Sequence, residues 1–223
     1  MNQIFDIIGP VMIGPSSSHT AGAVRLGRVA NKLIDRRKLA RVEITLSGSF
    51  AQTYKGHGTD RALMAGIMGC HSYSPEIRDA LEIARSRGIE YSFIKRNIKG
   101  AHPNTALIHY FTEDGSEGTM LGASVGGGNI LVNQIDGMDV HFTGENNTII
   151  VMHHDKPGVI AAVTHVMHWE YADLNISSFF LSRESRGGNS IMTIEVDSLP
   201  PEDLMAKIRE IEHVTNAILV RKL

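Results

Sequence analysis

Five consecutive polar residues, Ser16-Ser17-Ser18-His19-Thr20, stand just ahead of an apolar, helix-patterned stretch. Hydroxyls and an imidazole at a helix start can hold an anion with side chains, backbone N–H groups and the helix dipole acting together. A helix start also wants a Ser or Thr as its cap, but one such residue meets that need. A second cluster, Lys55-Gly56-His57-Gly58-Thr59-Asp60, flanks a histidine with glycines. That pattern exposes an imidazole for hydrogen bonding or proton transfer near neutral pH. It reads equally as a Gly-rich loop with a solvated His57 and with Thr59 capping the next helix. A third polar group combines His102-Pro103-Asn104-Thr105 with Gly126-Gly127-Gly128-Asn129. The first of these also fits a turn entering a strand, and the second a bulge or corner. The 11 histidines raise metal hydrolysis as a rival chemistry. Against it, no HExxH pair falls on a helix, and adjacent His153 and His154 would point to opposite faces of a strand.

Helices and strands must hold these clusters, and their pattern is legible in part. Val24, Leu26, Val29 and Leu33 give an apolar side to a helix over Ala21–Arg37, and Gly22 and Gly27 allow close packing there. Arg41–Ser47 alternates as a strand, and a helix is expected over Asp60–Met68. Ser74-Pro75-Glu76 opens another helix, with Gly88 beyond its end. Strands are expected over 89–96, 105–113, 117–125 and 129–135, with a hairpin turn at Glu113-Asp114-Gly115-Ser116.

A boundary is expected near Thr143-Gly144-Glu145-Asn146, dividing a domain over 1–145 from one over 146–223. The second part alternates regularly. A strand at 147–153 is followed by a helix opened by Pro157, with Val159, Ile160, Val163, Val166 and Met167 on one face. Two strands follow, over 174–183 and around Met192, Ile194 and Val196, joined by a turn at Arg186-Gly187-Gly188-Asn189. Pro200-Pro201-Glu202 opens a second helix with Leu204, Met205, Ile208 and Ile211 inward, and the last strand covers Ala217–Lys222. This order is βαββαβ, the ferredoxin-like split motif, so the fold class is α+β.

Composition narrows the function. Hydrophobic residues are 42%, charged residues 21%, and the formal net charge is −2 over 223 residues. With aromatics at 6% and no basic tract, nothing points to a nucleic-acid groove. No apolar run is long enough to span a membrane, and the first residues lack the pattern of a secretory signal. A single cysteine, Cys70, excludes an internal disulfide and a cysteine-based zinc site, and is read as a buried small hydrophobe at a helix end. A reducing cytoplasm is the expected compartment.

Two resemblances follow from these residues. A first strand, then Asp155-x-Pro157-Gly158-Val159-Ile160, a helix, and Asn175-Ile176 opening the second strand resemble an ACT domain. The motifs GPSSSHTAG (14–22), KGHGTD (55–60), HPN (102–104) and GGGN (126–129) resemble the β domain of iron–sulfur L-serine dehydratases. That domain is itself similar to the allosteric substrate-binding domain of some D-3-phosphoglycerate dehydrogenases. Fused relatives often carry His-His in the second motif, where this chain has His57-Gly58.

The resemblance implies a β chain acting with a partner α chain to convert L-serine to pyruvate and ammonia. It implies a [4Fe–4S] cluster held by the α chain, since a cluster needs several thiolates; a monovalent cation is a further candidate. It assigns catalysis to His19, His57 and His102, and substrate binding to Ser16, Ser17, Ser18, Thr20, Thr59 and Asn104, with no metal ligands in this chain. It assigns the binding of an effector, L-serine or a related small amino acid, to Asp155, Gly158, Val159 and Asn175, between copies joined through ACT domains. The alternative is a regulatory protein that binds an amino acid without catalysis.

Overall fold

The structure, a computed structural model, describes residues 11–171 and 173–223. The chain divides into two compact units, residues 1–136 and 137–223. Both are built of helices on sheets, the expected α+β class.

In the first unit a π-helical turn, Ser17–Gly22, runs directly into helix α1, Ala23–Ile34. Its buried stripe includes Val24, Leu26, Val29, Ala30 and Leu33. The helix stops where Asp35 and Arg36 adopt positive φ, and the Arg37 guanidinium donates to the carbonyls of Leu33 and Ile34, both at 2.8 Å. Strand β1 (Leu39–Leu46) then leads into α2 (Gly48–His57) and α3 (Thr59–Ile67). After a 3₁₀ turn, Pro75–Asp79, come α4 (Ala80–Ser86), β2 (Glu90–Lys95), β3 (Thr105–Thr112), β4 (Glu117–Gly126) and β5 (Asn129–Ile135). The strands hydrogen-bond in the order β2-β1-β3-β4-β5; β1 and β2 are parallel and the other pairs antiparallel.

Helices α1 and α3 pack with almost no space between their backbones. A Cβ on Gly66 would lie 2.1 Å from the Val24 carbonyl oxygen, and one on Gly27 would lie 2.3 Å from that of Leu63. Glycine at both positions is a consequence of this approach.

Helix α2 departs from the sequence reading, which treats the segment after β1 as a loop. Gly48–His57 is helical, with Phe50 and Tyr54 buried. Its apolar residues are few, so periodicity over ten residues was too weak to reveal it. Gly58, at φ 70°, ends α2 and starts α3 in one residue. Thr59 is therefore the first residue of α3 and not its cap, and its hydroxyl is free for another partner.

The second unit opens with β6 (Met138–Phe142). The repeat follows as β7 (Asn147–His154), α5 (Val159–Glu170), β8 (Ile176–Arg183), β9 (Asn189–Val196), α6 (Leu204–Arg209) and β10 (Val214–Val220). The antiparallel sheet has the order β10-β7-β9-β8, the ferredoxin-like arrangement. Ile149, Val151, Val159, Val163, Met167, Met192, Ile194 and Leu204 share one buried core. Ile160, expected inward, faces solvent at 42% exposure, and Ile211 lies beyond the end of α6. His153 is buried and His154 exposed, as alternation requires.

Candidate active site around a buried histidine

The motifs that are scattered along the sequence converge on the π-helical turn Ser17–Gly22. Ser16 caps this turn in extended conformation: its hydroxyl accepts from the His19 N–H at 3.3 Å and its carbonyl from the Thr20 N–H at 2.8 Å. One wide turn, rather than an ordinary α-turn, turns the His19 side chain inward; such turns concentrate at functional sites.

His19 is 7% exposed. Its Nδ1 lies 3.0 Å from Thr59 Oγ1, and its Nε2 3.4 Å from Ser49 Oγ. The ring meets Phe50 edge-on at 5.0 Å between centroids and His57 at 4.7 Å. Burial holds the His19 imidazole below the ordinary histidine range, and the neighbouring His57 adds to the effect. Neutral at physiological pH, His19 has one nitrogen able to accept a proton and one able to donate. The two hydroxyls fix the orientation of the ring, and each can donate to or accept from the nitrogen it faces.

His57 ends α2 and is exposed, so it forms the solvent-side neighbour of the buried ring. Asp60, in the first turn of α3, is buried, and burial raises its carboxyl above the usual range against the pull of the Arg61 backbone N–H.

The other two motifs close the far side. The Phe50 N–H donates to the Pro103 carbonyl at 3.2 Å, and a Cβ on Gly48 would sit 2.6 Å from that same oxygen. The HPN segment thus clamps the start of α2, which carries Ser49. His102 itself is exposed; its Nδ1 accepts from the Asn104 N–H at 3.1 Å, and it makes no contact with His19. Asn104 Nδ2 donates to the Ser124 carbonyl at 3.4 Å, and the Ser124 N–H returns to the Asn104 carbonyl at 3.0 Å. Asn104 is spent on holding β4. Ser124 in turn abuts the turn: a Cβ on Gly22 would lie 2.0 Å from its hydroxyl.

The Gly126-Gly127-Gly128 corner has φ of 112°, 60° and 85°, three successive positive values that favour glycine. Arg25 Nη1 donates to the Gly128 carbonyl at 2.8 Å, tying that corner to α1. Ser17 and Ser18 are half-buried in the turn itself. Thr20 is 2% exposed, and its Oγ1 has no hydrogen-bond partner.

A cavity of about 250 Å³ opens beside this arrangement, walled by Ile13, Thr20, His57, Arg61, Ile77 and Arg78. It lies next to His19 with His57 between them. Ser49, Arg61 and Arg78 were missed in the sequence. Ser49 sits immediately after the carboxyl end of β1, the place where sheet proteins gather their sites, and that was the one available signal.

The candidate effector residues are arranged differently. Asp155 Oδ2 accepts from Arg183 Nη1 at 2.8 Å and from the Gly187 N–H at 3.0 Å, so its carboxylate ties the end of β7 to the β8–β9 hairpin. The Gly187 N–H, then Arg183, hold its carboxyl below the usual range. Gly158, at φ 94°, precedes Val159 at the start of α5, and no atom lies within 4 Å of where its Cβ would be. Asn175 Nδ2 donates to Asp197 Oδ2 at 2.7 Å. Asp155 stands beside the Asn189 end of β9, and Asn175 beside its Val196 end. At about 3.3 Å per residue these ends are roughly 20 Å apart, so one copy does not bring the two together.

Among the described residues, no group of three or more His, Cys, Asp or Glu could hold a metal ion. Cys70 is half-buried in the turn after α3, and burial raises its thiol. One thiol does not fit the ligand set of a cluster. Among the described residues no helix is long and apolar enough to cross a membrane.

Comparison with known proteins adds an independent line. The family model described as serine dehydratase beta chain matches residues 3–90. The probable L-serine dehydratase, beta chain of Bacillus subtilis is 40% identical, over 95% of this chain and 94% of its own length. The L-serine dehydratase, beta chain of Peptoniphilus asaccharolyticus is 36% identical, over 96% and 95%. A D-3-phosphoglycerate dehydrogenase of Methanocaldococcus jannaschii is 26% identical over 89% of this chain, which is 37% of that longer protein.

Proposed function

We propose, from the premise that the chain belongs to the serine dehydratase β-chain family, that it is the β subunit of an L-serine dehydratase and completes an active site with a cluster-bearing α chain. The reaction removes water from L-serine, and the resulting aminoacrylate tautomerises and hydrolyses to pyruvate and ammonia. The observation that carries this reading is His19: a buried imidazole, held neutral, fixed at both nitrogens by hydroxyls, with a second imidazole against it.

β-Elimination needs a group that takes a proton from carbon and one that assists departure of the hydroxyl. His19 and His57 are this chain's proton-handling pair. Thr59 and Ser49 orient His19. His102 acts from the rim, and the hydroxyls of Ser16, Ser17, Ser18 and Thr20 line the approach, with Asn104 fixing its floor. The cluster, when present on the α chain, supplies Lewis acidity; this chain offers no ligand set for it.

The second unit is proposed as an ACT-type sensing module for L-serine or a related small amino acid. Its β8 strand is a sheet edge bearing exposed Phe179, Phe180 and Leu181, a strip that favours pairing with another strand. Two copies paired antiparallel along β8 would set the Asp155–Val159 loop of one beside Asn175 of the other. A carboxylate would meet the N–H groups at the start of α5, where Gly158 leaves space.

Anaerobic reconstitution with iron and sulfide, with and without the α chain, tests the reading. Pyruvate from L-serine in the mixture, and none from this chain by itself, is the expected result. Turnover by this chain alone, or an inactive but assembled mixture, would overturn it.

A further inference from the structure

The hydroxyls of the first polar cluster are the obvious candidates to bind the substrate carboxylate, but they are not equally placed. Ser16 is engaged, accepting from the His19 N–H, and Ser17 and Ser18 are half-buried in the turn. Thr20 is buried, unpartnered at Oγ1, and lines the cavity. Two cations line the same cavity. Arg61 projects from the first turn of α3, two residues after Thr59, and Arg78 from the 3₁₀ turn Pro75–Asp79. Among the described residues, no salt bridge takes either guanidinium. Ile13, Pro15 and Ile77 supply apolar wall.

We infer that Arg61 and Arg78, with the Thr20 hydroxyl, form the subsite that takes the carboxylate of the substrate. A guanidinium offers a planar fork of N–H donors matched to a carboxylate, and an apolar wall strengthens such a pair by excluding water. Thr20 Oγ1 gains the partner it lacks. The direction is productive: His57 lines the cavity and also stacks edge-on against His19, so a small amino acid anchored at the arginines extends toward the imidazole pair. The polar turn then serves mainly to build and orient His19, and the selectivity for a carboxylate lies in α3 and the 3₁₀ turn. This inference rests on the proposed function.

The test uses Arg61→Gln, Arg78→Gln, their double variant and Arg61→Lys, each assembled with the α chain. L-Serine is compared with L-serinamide, which keeps the hydroxyl and amine but carries no carboxylate. Each Gln variant is expected to raise KM for L-serine about tenfold or more with kcat within about threefold, a loss of uniform binding. The preference for L-serine over L-serinamide should shrink in step, and Arg61→Lys should recover part of it. Unchanged KM and undiminished discrimination in the double variant would overturn the subsite. If the double variant binds normally while His19→Ala abolishes turnover, the subsite fails and the function stands. If the assembled enzyme makes no pyruvate at all, the function fails, and titration of this chain with acetate still decides the subsite. Acetate should shift the His57 ring resonances in the unsubstituted chain and leave them unmoved in the double variant; equal shifts would overturn it.

Discussion

The two units use the same kinds of residue to opposite ends. In the first, polar side chains far apart in sequence turn inward onto one another: Thr59 and Ser49 grip the two nitrogens of His19, and Phe50 and His57 wall it. In the second, Asp155 and Asn175 each hold down their own end of the sheet, through Arg183 and Gly187 in one case and Asp197 in the other. A site that buries a polar group needs every partner supplied locally, because an unpaired buried group is costly. A site on an exposed sheet edge has no such requirement and can be finished by a second copy. The first unit therefore carries its imidazole assembly within one chain, whereas the second is proposed as half of a site.

The sharpest way to break this contrast is at its centre. His19→Ala should lower pyruvate formation by the assembled enzyme on the order of 10²–10⁴-fold, with the α chain still bound. Wild-type rates would end the assignment. Thr59→Val and Ser49→Ala, which leave the imidazole but remove the hydroxyl partner of one nitrogen, should each cost on the order of tenfold, and their pH–rate profiles should shift because a hydrogen bond to the titrating ring is lost. The next largest effect is on the scaffold. In Gly66→Ala a methyl would meet the Val24 carbonyl, a backbone atom that cannot rotate away. Urea unfolding should report a loss of about 1–3 kcal/mol. Gly56→Ala, where the added methyl meets nothing within 4 Å, is the control and should cost nothing.

How much of this was legible in the sequence differs between the units for the same physical reason. The ferredoxin-like repeat announces itself through alternation: Met192, Ile194 and Val196 point to one buried face, and short loops join the elements. The order of elements followed from that pattern. In the first unit the strands and α1 were equally readable, but α2 was not, since Phe50 and Tyr54 are too few to mark a helix among Gly, Ser, Gln and Lys. Losing α2 misplaced its neighbours. Thr59 became a cap and His57 a loop residue, and Ser49 went unnoticed. The identity of the polar clusters was visible, whereas their convergence depends on long-range pairing, such as Phe50 with Pro103 and Gly22 with Ser124, which no local pattern encodes. Arg61 and Arg78 were invisible for a simpler reason: exposed arginines on helix surfaces are common, and only the cavity sets these two apart.

The half-site reading of the second unit can be tested by complementation. If the effector lies between the Asp155–Val159 loop of one copy and Asn175 of its mate, Asp155→Ala and Asn175→Ala should each abolish binding of L-serine to that unit. Mixing the two variants restores one intact site in every mixed pair, whose other site carries both changes. Random pairing therefore returns about a quarter of the sites, a signature that a closed two-fold pair produces and a site within one copy cannot. Calorimetric titration of the mixture with L-serine would measure it, with Arg61→Gln and Arg78→Gln in the background so that the first cavity is silent. No recovery on mixing would place the effector within a single copy, or remove it.

The smallest expected effect concerns protons on His19. Burial, and secondarily His57, hold its imidazole below the ordinary value of 6.5, so the folded chain takes up that proton at a lower pH than the unfolded chain does. Between the two values the unfolded state binds more protons, and the free energy of unfolding falls as the pH falls. The contribution is fully present above 6.5 and is lost as pH drops toward the folded value. His71, lowered by burial and by Arg28, acts with the same sign. Unfolding midpoints measured from about pH 7.5 down to about pH 5 should therefore decline more steeply for the unsubstituted chain than for His19→Gln, whose side chain does not titrate in this window. Parallel curves would mean that His19 titrates alike in the folded and unfolded chains. The imidazole would then not be held neutral by its surroundings, and the distinction between a buried imidazole in the first unit and the solvated Asp155 and Asn175 in the second would lose its physical basis.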